Sequence, residues 1–564
     1  MQILIIGGYG TFGGRLATLL QDEPQLTLQI AGRHLAKAQA FCQQHIGAAA
    51  QLIPTQFDRQ GDLTHQLGQL MPHVVIDATG PFQTYGEQPY RLIQACVSMG
   101  IHYMDLADGS VFVEGVSQFD EAAKQQGVFI LSGVSSFPVL TAAVVRHLAQ
   151  DMTTVTHIKG GIAPSPYAGV GLNVIRAIAE YAGQPLQLHR DGQAATAYAL
   201  TESQRYTIAP PAHIPLRCIH FSLVDVPDLR VIPPEWPQLS AIWMGAGPVP
   251  EVLHRMLNAL AWLVRWRLIP SLAPAARLFY WAINLLVWGE HRGGMFVEVQ
   301  GIDQHGEACT RSWHLVAEGD DGPLIPSMAI EAIIRRMLAG QSPAHGARPA
   351  IHALELADYN SVLHRRNIYT GVRRDRKHSQ HLALYQRLLG EAWPQLPDAI
   401  RQAHLIKTQK TLSGQATITR GSNRLARWVA NLFSFPQAGQ NVPVSVTFQV
   451  DQNGHEHWQR SFGGKPMTSI QFEGQDQQQW LLMERFGVFV FGMALVIKHH
   501  QLHLIIREWS CFGLRLPLAW APHGDAYEFE KDGIFHFHVE IMHALLGLIV
   551  CYDGHLSEVS DTPC

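Results

Sequence analysis

The first fifteen residues, MQILIIGGYGTFGGR, constrain this chain more than any other stretch. The apolar run Ile3 to Ile6 reads as a buried strand, a glycine cluster follows at once, and Leu16 to Leu20 reads as helix. Gly8, Gly10 and Gly13 fit G-x-G-x-x-G, whose glycines permit a tight turn, close backbone approach to a pyrophosphate, and close packing of helix on strand. Phosphates placed there meet the free N–H groups of a helix N-terminus, where the peptide dipoles favour negative charge. The strand before the motif and the apolar helix after it favour a nucleotide site over a merely structural glycine turn. The expected contacts are Gly8, Tyr9, Gly10, Thr11, Phe12 and Gly13.

The end of the second strand, Leu26 to Ala31, should carry the residue that reads the adenine ribose. A site for NAD places an acid there to bind the 2'-hydroxyl. This chain places Arg33, and Lys37 lies one turn into the next helix. A guanidinium pairs with a 2'-phosphate through charge-assisted hydrogen bonds, so the expected cofactor is NADP(H). The competing reading makes both residues solvated helix-start positions. Gln51 to Phe57 reads as a third strand, with Asp58 at its carboxyl end suited to the adenine amino group. Val74 to Ala78 is a fourth, and Thr79, Gly80, Pro81 and Phe82 follow at the edge where ligands sit in such sheets. Gly100 to Asp105 and Val128 to Leu131 continue the series, each after an amphipathic helix. Short turns between alternating strands and helices predict an α/β fold, a Rossmann doubly wound parallel sheet over residues 1–150.

The 564 residues exceed what one ordinary core can hold, so two to four domains are expected. Hydrophobic residues at 47% and charged residues at 16% describe a globular protein, and a formal charge of −4 gives no electrostatic case for nucleic acid. Seven scattered cysteines without a C-x-x-C pair argue for neither a disulfide framework nor a zinc site. No secretory leader is visible, and the expectation is a cytoplasmic protein. Val252 to Trp288 is rich in Leu, Trp, Phe and Ala, but Arg255, Arg265, Arg267, Arg277, Pro270 and Pro274 interrupt it. It therefore reads as a pair of buried or dimer-forming helices, with an apolar tunnel or peripheral membrane contact as the alternative.

GGYGTFG, AGR, TGPFQTYG, HYMDLADG and SGVSSFPVL together resemble the saccharopine dehydrogenase-like (saccharopine reductase-like) NADP-binding oxidoreductases. The resemblance is strong to about residue 150 and weaker to about 372. It implies that the nicotinamide lies near the TGPF and Y-x-D-L segments, giving roles to Gly80, Pro81, Phe82, Tyr103 and Asp105. The chemistry agrees in kind, because Tyr103 and Asp105 are nearby groups able to hold or relay a proton. Asp105 reads equally as a loop-bonded carboxylate. His157 and His314 are further donor candidates, each also readable as structure.

Residues 151–363 alternate strands (Val155 to Ile162, Ala194 to Leu200, Arg217 to Val224, Met295 to Ile302) with helices, predicting an α+β substrate and dimerisation domain. Tyr167 to Gly171 reads as a plain loop, with a cover over the cofactor as the alternative. The resemblance implies that the helix ending near Met337 returns to pack on the nucleotide domain. Residues 364–382 read as a basic linker.

From Ser413 strand patterns recur every ten to fifteen residues, predicting a β-rich domain over 383–564 that curls into a barrel, cup or sandwich. LYQRLLGEAW, HWQRSFGG, MERFG and LLGLIVCYDGHL resemble a bacterial domain of unknown function found fused behind saccharopine dehydrogenase-like chains. His536 and His538 share a strand face with Glu540, but so does any solvent-facing strand whose Phe535, Phe537, Val539 and Ile541 face a core. No metal is expected, and an apolar ligand inside the curved sheet is the better reading.

The reading as a whole is an NADP(H)-dependent oxidoreductase transferring hydride to a C=N, C=O or C=C bond of a small, apolar or lipid-like substrate. The alternative is a non-catalytic NADP-binding, lipid-handling or scaffold protein. A homodimer and peripheral membrane contact stay open as partner readings.

Overall fold

The computed structural model describes residues 1–82, 85–375 and 381–558. The chain forms two compact units, one of Met1–Tyr206 with Ile219–Tyr369 and one of Thr207–Cys218 with Thr370–Cys564.

In the first unit, β1 (Gln2–Ile6), β2 (Thr27–Gly32), β3 (Gln51–Gln56), β4 (Val74–Asp77), β5 (His102–Asp105) and β6 (Phe129–Ser132) pair in parallel in the order β6-β5-β4-β1-β2-β3. The strands are near-continuous apolar runs because helices cover both faces of such a sheet, and Ile3 to Ile6 are 0–1% exposed. Each buried Ile or Leu contributes roughly 1.5–3 kcal/mol. The order reverses between β1 and β4, the switch point at which doubly wound sheets hold ligands. The predicted Rossmann sheet is present. A seventh strand, Gly346–Pro349, pairs in parallel with β6, so residues far beyond 150 complete it. The Ile325–Leu338 helix packs on α1 (Thr11–Leu20), with Ser327 Oγ donating to the Phe12 carbonyl at 3.2 Å and Arg335 Nη2 to the Leu19 carbonyl at 3.1 Å.

A mostly antiparallel seven-stranded sheet forms the middle region, with Met152–Ala163 central between Ala241–Ala246 and Arg292–Asp303. A strand, Ile368–Arg374, lies in the stretch expected as a linker. The charge count hid the strand: within it Ile368, Gly371 and Arg373 are buried, and of its two arginines only Arg374 faces solvent. Residues 376–380 of that stretch lie outside the described residues. The helices Glu251–Arg265 and Ala276–Leu285 leave Met256, Leu278 and Trp281 about three-fifths exposed. No helix among the described residues is long and apolar enough to cross a membrane.

The second unit is an antiparallel barrel. Ten strands run from Gln409–Arg420 round to Gly547–Glu558, and the ring closes where Gln501–Cys511 pairs with both Phe489–Lys498 and Ala526–Lys531. A short eleventh strand, Leu514–Leu516, extends Gln501–Cys511. His538 is engaged by Asp553 of the neighbouring strand, with Cys551 beside it. His536 and Glu540 are not part of that group.

Candidate nucleotide and substrate site

β1 ends in a turn whose first glycine, Gly7, has a φ of +78°, and the Gly7 and Gly8 N–H groups both donate to the Ala31 carbonyl. A methyl group on Gly13 would lie 2.3 Å from the Gly7 carbonyl oxygen, so only hydrogen lets α1 start this close to the strand. Gly10 precedes the helix in extended conformation, and no side chain caps the first turn. That turn opens onto a cavity of about 680 Å³ lined by Gly7, Tyr9, Gly10, Thr11 and Phe12.

The cavity runs from Arg33 and Asp58 at one end to Thr79, Gly80, Pro81 and Phe82 at the other. Nearly all the residues expected at the cofactor line it. The exceptions are Gly8 and Gly13, which pack the turn, and Lys37, which is exposed beyond the lining. Arg33 is exposed and makes no side-chain hydrogen bond or ion pair with any described residue. Tyr9 lies flat against Gly32, where a methyl group would sit 2.4 Å from the phenol oxygen, and that oxygen accepts the His34 N–H at 3.2 Å. The Asp58 carboxylate accepts the Gln60 N–H at 3.0 Å.

At the far end a buried carboxylate organises the wall. Asp77 accepts from the Thr79 hydroxyl at 2.6 Å, the Thr79 N–H at 3.1 Å and Arg59 Nε at 3.1 Å. The Arg59 guanidinium stacks 3.5 Å over the Tyr85 ring, and the Tyr85 hydroxyl donates to Thr79 Oγ1 at 2.6 Å. Burial, with the Asp77 charge adding to it, raises the Tyr85 phenol, which therefore stays protonated. Arg59 and Tyr85 line the cavity, and sequence reasoning missed both along with Asp77. The available signal was an acid closing a buried strand, since a buried charge must find a partner.

Tyr103 and Asp105 lie behind the wall, both 0% exposed and outside the lining. The Asp105 carboxylate accepts from the Gly133 N–H at 2.7 Å, the Ala107 N–H at 3.0 Å and the Ser132 hydroxyl at 2.9 Å. It fixes the Leu106 to Asp108 backbone that does line the cavity. Burial pushes its pKa up to about 7 against these bonds. The Tyr103 hydroxyl has no hydrogen-bond partner among the described residues. His314 is buried against Ser312, and neither it nor His157 reaches the cavity. Gln83 and Thr84 of the TGPFQTYG segment lie outside the described residues.

The middle region supplies the remaining wall through Ile162, Leu172, Asn173, Val174 and Val226. The Ala168 carbonyl accepts from Arg15 Nη2 at 2.6 Å, and a methyl on Gly171 would meet Thr11 Oγ1 at 2.9 Å. The Tyr167 to Gly171 loop is thus seated against the start of α1.

Residues 3–131 match the family described as the saccharopine dehydrogenase NADP binding domain. The N-terminal domain belongs to that family. Residues 396–556 match a domain of unknown function, DUF4166. NADP is the cofactor of the N-terminal family, and by that domain the chain is a dehydrogenase-type oxidoreductase. No curated protein matches the chain. Among solved structures, apo saccharopine dehydrogenase (L-Glu forming) from Saccharomyces cerevisiae is 12% identical, covering 66% of this chain and 99% of its own, with a TM-score of 0.47. A meso-dapdh variant from Clostridium tetani is 14% identical over 64% of this chain and 95% of its own (TM-score 0.31). A probable dehydrogenase from Thermotoga maritima is 10% identical over 66% and 98% (TM-score 0.30).

The residues present fit NADP. The uncapped first turn of α1 offers N–H groups to a pyrophosphate, and the unpaired Arg33 stands where an acid would exclude a 2'-phosphate.

Proposed function

We propose that this chain is an NADPH-dependent reductase that adds hydride to a C=N, C=O or C=C bond in the cavity between Thr79–Phe82 and the Leu172–Tyr181 helix. The observation that carries this reading is the continuity of the cavity, from a phosphate-binding turn to an apolar end. NADPH supplies the hydride when bound. Tyr9, Gly10, Thr11 and Phe12 bind the phosphates, Arg33 the 2'-phosphate and Asp58 the adenine, with Gly8 and Gly13 shaping the turn and Lys37 adding positive charge near Arg33. Gly80, Pro81 and Phe82 present backbone and an aromatic edge to the nicotinamide end, while Thr79 holds Tyr85 in place.

Phe82, Phe137, Leu172 and Val174 line the substrate end, which favours an apolar acceptor. In place of the enclosed Tyr103 and Asp105, the protonated Tyr85 hydroxyl is the group best placed to hold a proton. Asp105 then acts as a positioning residue for the 106–108 wall.

The test is transfer of deuterium from the two stereospecifically labelled forms of NADPH across a panel of cyclic imines, ketones and enones. Transfer from one face only is expected. Tight NADPH binding without transfer to any member of the panel would instead support a non-catalytic NADP-binding protein.

A further inference from the structure

The interior of the C-terminal barrel is a second cavity, of about 720 Å³, lined by residues between Tyr385 and Leu556. Its walls are apolar because the inward positions of the strands are. Val444, Val446 and Phe448 alternate with outward Ser445 and Thr447, and Phe535 and Phe537 flank outward His536, while His538 and Glu540 further along that strand join the lining. A space of this size does not belong to a close-packed core, where voids rarely exceed a water molecule, and it falls within the range of small-molecule sites.

The polar groups on the lining restrict what can enter. Arg460 Nη2 lies 2.9 Å from Glu484 Oε1, the Tyr385 hydroxyl donates to Gln471 at 3.0 Å, and His404 Nε2 lies 2.6 Å from Glu528. Arg460 is already neutralised and Glu528 adds a second acid, so a carboxylate or phosphate would be buried without a free cation. His404 is 1% exposed and its Nδ1 has no partner among the described residues. A single hydroxyl on an apolar molecule would satisfy it with Nδ1 as donor or acceptor, and a carbonyl with Nδ1 as donor.

The two ends of the barrel differ in character. Antiparallel alternation brings the connections 421–438, 463–464, 487–488, 512–513 and 544–546 to one end, and 451–455, 474–481, 499–500 and 532–533 to the other. The first end exposes Leu425, Trp428, Leu432, Val488, Phe512 and Leu545, the last at 85%. Among the described residues, the connections at the second end expose no large apolar side chain. Leu425, Trp428 and Leu432 share one face of the Arg424–Leu432 helix, while Val429 and the following Phe433 line the cavity. This segment is therefore apolar toward both the interior and the solvent. Arg424 and Arg427 are exposed on the same helix, the arrangement of an interfacial helix on an anionic lipid surface.

We propose that the C-terminal barrel binds one uncharged, elongated apolar molecule carrying a hydroxyl or carbonyl group, and collects it from an anionic lipid surface on which its apolar end rests. This holds whether or not the N-terminal domain is a reductase.

The probe is all-trans-retinol, titrated into the full chain while fluorescence from Trp458, which lines the cavity, is followed. Saturable energy transfer at one retinol per chain is expected, unchanged by NADPH, with palmitate competing at least about tenfold more weakly. Val446→Trp, which fills the cavity, should weaken retinol binding by about tenfold or more. In flotation, the chain should rise with vesicles of phosphatidylcholine and phosphatidylglycerol and not with phosphatidylcholine alone. The surface double variant Leu425→Asp, Trp428→Asp should lose flotation and keep retinol binding from solution. Absence of energy transfer in the wild type would overturn the cavity assignment, as would retinol binding unaffected by Val446→Trp in a folded protein. Flotation undiminished in the double variant would overturn the lipid surface.

Discussion

The hydroxyl of Thr79 donates to the buried carboxylate of Asp77 across 2.6 Å, which ties the backbone lining the substrate end to the floor of the parallel sheet. Arg59 pairs with the same carboxylate while its own side chain is only 13% exposed. Asp77→Asn keeps the shape but leaves that guanidinium without a counter-charge, at a cost of about 3 kcal/mol. Urea unfolding should report a lower midpoint, and NADPH affinity should fall several-fold as the Thr79–Phe82 wall loosens. An unchanged midpoint would show that solvent already screens Arg59.

At Gly13 the limiting contact is backbone against backbone. A methyl group would sit 2.3 Å from the Gly7 oxygen and 2.9 Å from the Gly8 Cα, and neither atom can rotate away. Gly13→Ala must therefore shift α1 off the turn, costing about 1–3 kcal/mol and misplacing the N–H groups aimed at the phosphates. NADPH affinity measured by calorimetry should drop by more than about tenfold. Affinity equal to wild type would remove the first turn from the cofactor site.

What the sequence made legible is local. The glycine turn and Arg33 lie within one strand–turn–helix–strand unit, so spacing alone could nominate them. The Arg59–Asp77–Tyr85 group joins residues from separate segments, each with a plainer reading of its own. Tyr103 and Asp105 lie off the cavity lining, which the sequence does not show, because residues 103–105 of β5 are all buried and such a strand has no alternation to say which side meets a ligand. The Gly346–Pro349 strand is four residues long and joins a sheet whose preceding strand ended at Ser132. In the barrel, alternation found most strands, but closure depends on Gln501–Cys511 bonding on two sides, which periodicity does not encode.

Arg33 should separate the two nicotinamide cofactors. Its guanidinium is exposed at the cavity rim, free to reach a 2'-phosphate, and no acid stands beside it at the end of β2. A charge-assisted hydrogen bond contributes about 1.5–3 kcal/mol, so Arg33→Ala should weaken NADPH about tenfold to a hundredfold and leave NADH unchanged. Lys37→Ala, one turn further and outside the lining, should have a smaller effect. Equal losses for both cofactors would place Arg33 elsewhere than at the ribose.

Asp105 carries a pH dependence of stability with a definite sign. Burial raises its folded pKa from 3.8 to about 7, so between about pH 4 and 7 the folded state holds a proton that the unfolded state has released. Its contribution to stability is therefore greatest at the acid side of that window and declines as pH rises through it, by on the order of 4 kcal/mol. Asp105→Asn mimics the protonated form and removes the dependence. The Tm difference between variant and wild type should be small near pH 4 and grow in favour of the variant up to pH 8. Parallel Tm curves would mean that the bonds from Gly133, Ala107 and Ser132 keep the carboxylate ionised throughout.

Arg373 shows what the basic stretch does inside the second unit. Its Nε donates to the Ala209 carbonyl at 2.6 Å and its Nη1 to the Leu388 carbonyl at 2.9 Å, while the guanidinium stacks 4.2 Å from the Trp480 ring. One planar fork thus joins the Thr207–Cys218 segment, the Leu384–Leu389 helix and the loop before the Leu482–Phe486 strand. Arg373→Ala would remove both hydrogen bonds from a buried place, at about 1–3 kcal/mol each. Arg373→Lys should restore less than half of the loss, because an ammonium cannot serve both carbonyls in the plane of the ring stack. Proteolysis should then cut first near residues 207–218 in the Ala variant, at a rate at least about tenfold above wild type. If both variants resist protease as the wild type does, Arg373 is not what holds the stretch.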